Sequence, residues 1–185
     1  VIIELLSHQN FTDTRLALDP LFRFNVSRAI YKGILKFLTN RYGRKYVVQP
    51  LPVDHLRAEI GADGSIYVNW QPVPDVLEPT AMPTSFQVFI RQDSGDFDNG
   101  HRVFTNNFIL KDPKSDMVYN FRVQAENEGG LSLPSEIVSA CIKSGSRGVV
   151  LVVNGFDRVS APAVHDFDAY QGYNFPEDQG VPDHY

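Results

Sequence analysis

Val118-Tyr119-Asn120-Phe121-Arg122-Val123-Gln124-Ala125-Glu126-Asn127-Glu128-Gly129-Gly130-Leu131-Ser132-Leu133-Pro134-Ser135 sets the architecture expected of this 185-residue chain. Tyr119, Phe121, Val123 and Ala125 make an apolar row at period two, and Asn120, Arg122, Gln124 and Glu126 make a polar row between them. That alternation is what a strand with one packed and one wet face needs. Asn127-Glu128-Gly129-Gly130 then reverses the chain, with two glycines available for positive φ, and Pro134-Ser135 opens the next strand. The stretch predicts a hairpin of a β-sandwich.

Upstream the same period recurs. Pro50 and Pro52 mark a linker and the start of a first strand, where proline is tolerated. Leu56, Ala58 and Ile60 alternate through it, and Gly61-Ala62-Asp63-Gly64 turns the chain into a second strand with Ile66, Val68 and Trp70 on one face. Phe86, Val88 and Ile90 line a third, with Gln87, Phe89 and Arg91 opposite. Arg102–Thr105 and Phe108–Leu110 are further short strands, and Ile137–Ile142 continues the hairpin, which gives seven strands at sandwich spacing. Cys141 reads as a small buried hydrophobe in that last strand.

The pattern Tyr-x-Phe-x-Val-x-Ala-x-Asn followed by Gly-x-Ser-x-Pro-Ser resembles the closing hairpin of fibronectin type III domains. The resemblance implies that Trp70 is the core tryptophan and that Tyr119 forms a tyrosine corner, its hydroxyl bonded to backbone a few residues upstream. The expected fold is mainly β: a seven-stranded fibronectin type III, immunoglobulin-like sandwich over residues 47–147. An N-terminal strand-helix flank, residues 1–46, and a C-terminal strand-containing flank, residues 148–185, enclose it.

Composition and charge narrow the functional classes. With 43% hydrophobic and 21% charged residues the chain has ordinary globular composition,. The net charge of −5 is uneven: residues 1–46 carry eight Lys or Arg against three Asp or Glu, residues 47–147 eight against thirteen, and residues 148–185 one against six. The sandwich has no basic stripe, so nucleic acid is not an expected partner. No apolar run reaches the roughly 20 residues of a membrane span. The start, Val1-Ile2-Ile3-Glu4, has no basic leader, so an export signal is expected outside these residues.

The flanks read as α/β pieces. Val1-Ile2-Ile3 ending in Glu4 is patterned like a buried parallel strand emerging at its carboxyl edge, with Ser7–Asp13 as a loop. Asp19 is the expected N-cap and Pro20 the first residue of a helix whose stripe is Phe22, Val26, Ala29, Ile30, Gly33, Ile34 and Phe37. Gly43 is its expected C′ residue. Glu4, Asn10, Asp19-Pro20 and Ala29-Ile30-Tyr31-Lys32-Gly33-Ile34 resemble the carboxyl-terminal end of family-three zinc N-acetylmuramoyl-L-alanine amidases. That resemblance implies that Glu4 is the carboxylate assisting the attacking water in the parent enzyme, with zinc held by residues before Val1. In this chain His8, His55, His101, His165 and His184 have no ligand spacing, so no zinc or other cofactor is expected here.

Val149-Val150-Leu151-Val152-Val153 is patterned as a strand buried on both faces, expected to pair with residues 1–4 or to begin a further domain. The remaining residues show no periodic stripe. The order of the three segments resembles envelope proteins of Bacteroidetes-type bacteria often labelled xanthan lyase or amidase-like. It implies an exported protein, periplasmic or at the cell surface, whose partners are neighbouring domains of the same polypeptide and cell-wall glycan or polysaccharide. Three readings are open. One is a non-catalytic accessory or spacer module of a cell-envelope hydrolase. The second is part of a zinc amidase, and the third a polysaccharide-binding or lyase-associated module with Tyr67 and Phe89 as outward aromatics on adjacent strands. Asp93-Ser94-Gly95-Asp96-Phe97-Asp98-Asn99-Gly100 looks faintly like a calcium loop, but Phe104 stands where the loop's closing glutamate belongs, so an acidic hairpin loop is expected.

Overall fold

A computed structural model describes residues 3–153, 164–167 and 170–173. The chain divides into two compact units, Leu35–Val150 and Val1–Ile34 with Leu151–Tyr185. The first unit holds eight strands: β1 (Asp54–Ile60), β2 (Ile66–Gln71), β3 (Ser85–Gln92), β4 (His101–Val103), β5 (Asn107–Leu110), β6 (Val118–Asn127), β7 (Gly130–Leu131) and β8 (Val138–Cys141). All pairings are antiparallel. One sheet runs β1-β2-β5 and the other β4-β3-β6, with β7 and β8 sharing the outer edge of β6.

The period-two rows face each other as the sequence dictates. Ile66, Val68 and Trp70 from one sheet meet Phe86, Val88, Ile90, Tyr119, Phe121, Val123 and Ala125 from the other in a single apolar core. Trp70 stands edge-on to Phe86, ring centroids 5.4 Å apart at 66°. The Tyr119 hydroxyl accepts the Lys114 N–H at 3.0 Å, which closes the expected tyrosine corner.

Beside β6 the ladder is completed by hydroxyls. Pro134 has no N–H to offer, and the partner strand is interrupted between β7 and β8. Ser132 and Ser135 N–H groups donate to Ala125 and Val123 carbonyls, and the Ser132 and Ser135 Oγ atoms accept the Ala125 and Val123 N–H groups at 2.9 Å. Strand geometry therefore resumes at Val138, later than Pro134-Ser135. The two turn glycines also differ: Gly130 has φ +118°, as a reversal requires, whereas Gly129 answers a close approach. A Cβ on Gly129 would lie 2.6 Å from the Val47 carbonyl oxygen and 2.8 Å from Gln49 N.

In the second unit α1 spans Phe11–Leu18, where a loop was expected. Asn10 explains it: its side chain caps the helix by accepting the Thr12 and Asp13 N–H groups, and Asp13 puts an acid in the first turn,. β9 (Val164–Phe167) and β10 (Tyr170–Tyr173) pair as an antiparallel hairpin in the stretch that showed no periodicity.

α2 spans Pro20–Tyr42 across the division. Asp19 caps it through Leu21 N–H at 2.9 Å. Gly43, at φ +61°, ends it with the Arg44 N–H returning to the Thr39 carbonyl, a Schellman closure,. Its stripe is only half covered: Phe22, Val26 and Ile30 are partly buried, but Ala29, Gly33, Ile34 and Phe37 are exposed. Of the two buried-type strands expected in the flanks, the first falls largely on Val1 and Ile2, which lie outside the described residues, and the second does not form over Val149–Val153. Residues 3–7 are irregular, and residues 149–153 are unpaired, with Val149–Val153 between 75% and 91% exposed. An apolar run becomes a strand only where neighbours take its N–H and C=O groups, and Val149–Val153 has none among the described residues,.

Candidate functional site

The segment leading into the sandwich is fixed at one pole. Val48 and Pro50 are fully buried. The Val48 N–H donates to Thr80 Oγ1 at 3.1 Å, and Asn127 Nδ2 donates to the carbonyls of Val48, Thr80 and Met82 at 2.9, 3.0 and 3.3 Å. Asn127 Oδ1 accepts the Gly129 N–H at 2.7 Å. Buried at the end of β6, this one amide joins the inlet, the short 3-10 helix Pro79–Ala81 and the turn after β6. The Tyr46 hydroxyl donates to Glu78 and Lys45 pairs with Glu128. Lys45, Tyr46, Thr80, Met82, Asn127 and Glu128 line an open groove of about 310 Å³.

At the outlet the fixing is electrostatic. The Asp116 carboxylate pairs with Lys143 Nζ at 2.5 Å and accepts the Ser144 hydroxyl. The Lys143 ammonium and then Ser144 hold the Asp116 carboxyl down at about 2, and Asp116 in turn raises Lys143.

The outer face of the β4-β3-β6 sheet carries the densest arrangement of functional side chains. Arg122 on β6 stands opposite Phe89 on β3, its guanidinium carbon 4.9 Å from that ring. The Asp93–Gly100 loop lays Phe97 over the same guanidinium at 4.3 Å, and over that of Arg91 at 5.1 Å. The Nε atoms of Arg91 and Arg122 are buried without a hydrogen-bond partner.

The loop's own carboxylates act as ladder groups. Asp98 Oδ1 accepts the Ile90 and Gly100 N–H groups, each at 3.0 Å, while its Oδ2 meets His101 Nε2 at 2.9 Å. Asp93 Oδ1 accepts the Val118 N–H at 2.9 Å. Two of the three loop carboxylates are thus engaged with backbone. Among the described residues no three His, Cys, Asp or Glu side chains are grouped as a metal would need. Asp96, Asp98 and His101 instead rim a cleft of about 390 Å³ floored by Ile90, Leu110 and Tyr119.

Tyr67 and Phe89 do not share this face. Tyr67 is on β2, in the other sheet, and each sheet buries its inner row in the common core, so the two aromatics sit on opposite outer faces. The expectation of adjacent strands fails because the chain crosses between sheets after β2. Tyr67 is a turn lock: its hydroxyl donates to Asp63 at 2.9 Å and its ring leaves no room for a Cβ on Gly61. The Ser65 N–H, then Tyr67, lower the Asp63 pKa, and Asp63 raises that of Tyr67. Phe89 is half-buried between Arg122 and Gly100, where a Cβ would lie 2.9 Å from its ring.

Glu4 is exposed in the irregular segment before α1. The described residues offer no zinc-binding donor set around it. Sequence reasoning missed Phe97, Arg91 and Arg122. The lone aromatic in an acidic loop, and two outward arginines on rows already assigned, were the available signals.

Residues 51–140 match the family model described as fibronectin type III domain. No curated protein matches the chain. Among solved structures, the twitchin kinase region from C. elegans is 21% identical, with 55% of this chain and 18% of that chain covered and a TM-score of 0.46. Titin kinase with its flanking domains is 21% identical, covering 52% and 18%, TM-score 0.45. The FN1–FN3 domains of chicken CNTN1 are 15% identical, covering 55% and 34%, TM-score 0.45. The chain thus spans 18% to 34% of the length of these three structures.

Proposed function

We propose that the fibronectin type III domain of residues 51–140 serves as a non-catalytic accessory module beside other domains of one polypeptide. The observation that carries this reading is the built-in inlet. A buried amide, Asn127, and a glycine whose backbone touches residues 47–49 lock the incoming chain to the sandwich. The last turns of α2 from Leu35 belong to the same compact unit. Asn127, Tyr46, Lys45, Asp63 and Asp116 are occupied in holding turns and ends together, as a spacer requires.

The finer reading, an exported module of a bacterial cell-envelope hydrolase, is supported by the amidase-like residues Glu4, Asn10, Asp19-Pro20 and Ala29–Ile34. In that parent enzyme Glu4 would assist the attacking water and zinc would come with ligands outside these residues. The donors among the described residues do not fit zinc, so no catalytic step is assigned to this chain. Mass spectrometry under native conditions and muropeptide release test the reading. The 185-residue chain is expected to carry no stoichiometric zinc and to release nothing from peptidoglycan. Bound zinc with release of muropeptides would refute the module assignment.

A further inference from the structure

We infer that the outer face of the β4-β3-β6 sheet binds an anionic polysaccharide whose carboxylates are taken by Arg91 and Arg122. Both guanidiniums are permanently charged, and both lie against one ring, Phe97,. Neither makes an ion pair or hydrogen bond among the described residues. Two cations brought together without a counter-charge form an anion site, and the guanidinium fork matches a carboxylate in two parallel hydrogen bonds.

The neighbouring charges leave this pair available. Arg102 on the same sheet is neutralised by Glu126 at 3.0 Å. Asp93 and Asp98 accept backbone N–H groups, and Asp98 also holds His101. Residues 47–147 are acidic as a whole, so the uncompensated pair is a local inversion of the domain's charge. Phe89 enters as a positioning residue: with Phe97 it clamps the Arg122 guanidinium in place.

A polysaccharide fits better than an acidic peptide because β3 and β6 are fully paired with each other from Ser85 to Gln92. A peptide crossing them would gain no backbone hydrogen bonds while losing its chain entropy, whereas stiff pyranose rings with repeating carboxylates lose less on binding.

The test is affinity electrophoresis of the full chain in gels containing polygalacturonate or neutral dextran. Polygalacturonate is expected to retard the chain and dextran to leave it unaffected, with retardation falling as salt rises. Arg91→Gln with Arg122→Gln should weaken binding about tenfold or more. Lys111→Gln with Lys114→Gln, the same charge change elsewhere on the domain, should leave it unaltered. If the double arginine variant does not fold, Arg91→Gln alone must weaken retardation at least about threefold.

No retardation, or an equal loss in the lysine variant, overturns the proposal. Polyglutamate competing as well per carboxylate would assign the face to an acidic peptide and refute the polysaccharide. Retention by dextran sulfate without retention by polygalacturonate would refute carboxylate recognition.

Discussion

The inlet of the sandwich and its outlet are held by different physics. Residues 45–53 enter through buried contacts: Val48 has no exposed surface, and a buried side-chain amide satisfies its carbonyl. Residues 143–153 leave past an exposed clamp, Asp116 with Lys143 and Ser144, beyond which Val149–Val153 touch water almost entirely. Buried hydrogen bonds and steric fit keep their strength against solvent, whereas an exposed ion pair is screened and answers to pH and salt. The difference teaches that the domain is built onto the segment that enters it and only tethered to the segment that leaves it.

The sharpest way to break this comparison is a matched pair of glycine substitutions. Gly129→Ala drives a methyl into the backbone of residues 47–49 and is expected to lose about 2–3 kcal/mol in urea unfolding,. Gly148→Ala, with nothing within 4 Å of its Cβ position, should change stability by less than about 0.5 kcal/mol,. Equal effects would mean that the inlet is no more tightly built than the outlet.

Next in size is Asn127→Ala, which strips a donor from the buried Val48 carbonyl and from Thr80. A loss of about 2 kcal/mol is expected by the same measurement,. Hydrogen exchange at residues 47–50 should accelerate while exchange in the middle of β3 changes little.

The outlet clamp should appear as acid sensitivity. The folded pKa of Asp116, about 2, lies below the ordinary carboxylate value near 3.9,. A depressed folded pKa contributes stability that is present above the unfolded value and is lost as pH falls from about 4 through about 2,. Melting temperature followed across that window should decline less steeply in Asp116→Asn, a residue that also tolerates the positive φ of 63° at this position,. Identical slopes would show that the clamp contributes nothing.

The smallest effect is expected at Leu151→Ser, where an exposed apolar side chain becomes polar and unfolding should shift by less than about 0.5 kcal/mol,. A large loss there would reveal a partner for the run and erase the contrast between the two ends.

Much of the fold was legible because strand rows and helix caps are local. The alternation of β6, the inward rows of β2 and β3, Asp19 as a cap and Gly43 as a C′ residue each depend on a few neighbours in sequence. The short helix α1 was overlooked because its one signal is the Asn10 cap, and its apolar face is too narrow to set a period. The strand reading of Val149–Val153 failed for the opposite reason, since apolar β-branched residues state a preference that only a partner edge can realise. The arginine face was half legible: Phe89, Arg91 and Arg122 could be placed outward, but the folding of Phe97 back over them could not.

By itself the sequence determined that the middle of the chain forms a two-sheet sandwich, because period-two burial and turn chemistry act over a few residues and survive any rearrangement of the rest. Only the tertiary structure decided which outward residues meet. It separated Tyr67 from Phe89 onto opposite faces, brought Gly129 against a backbone some eighty residues earlier, and joined Arg91 and Arg122 under one ring. Such meetings depend on which sheet each strand joins and how each loop returns, and they are fixed by packing between segments far apart in sequence.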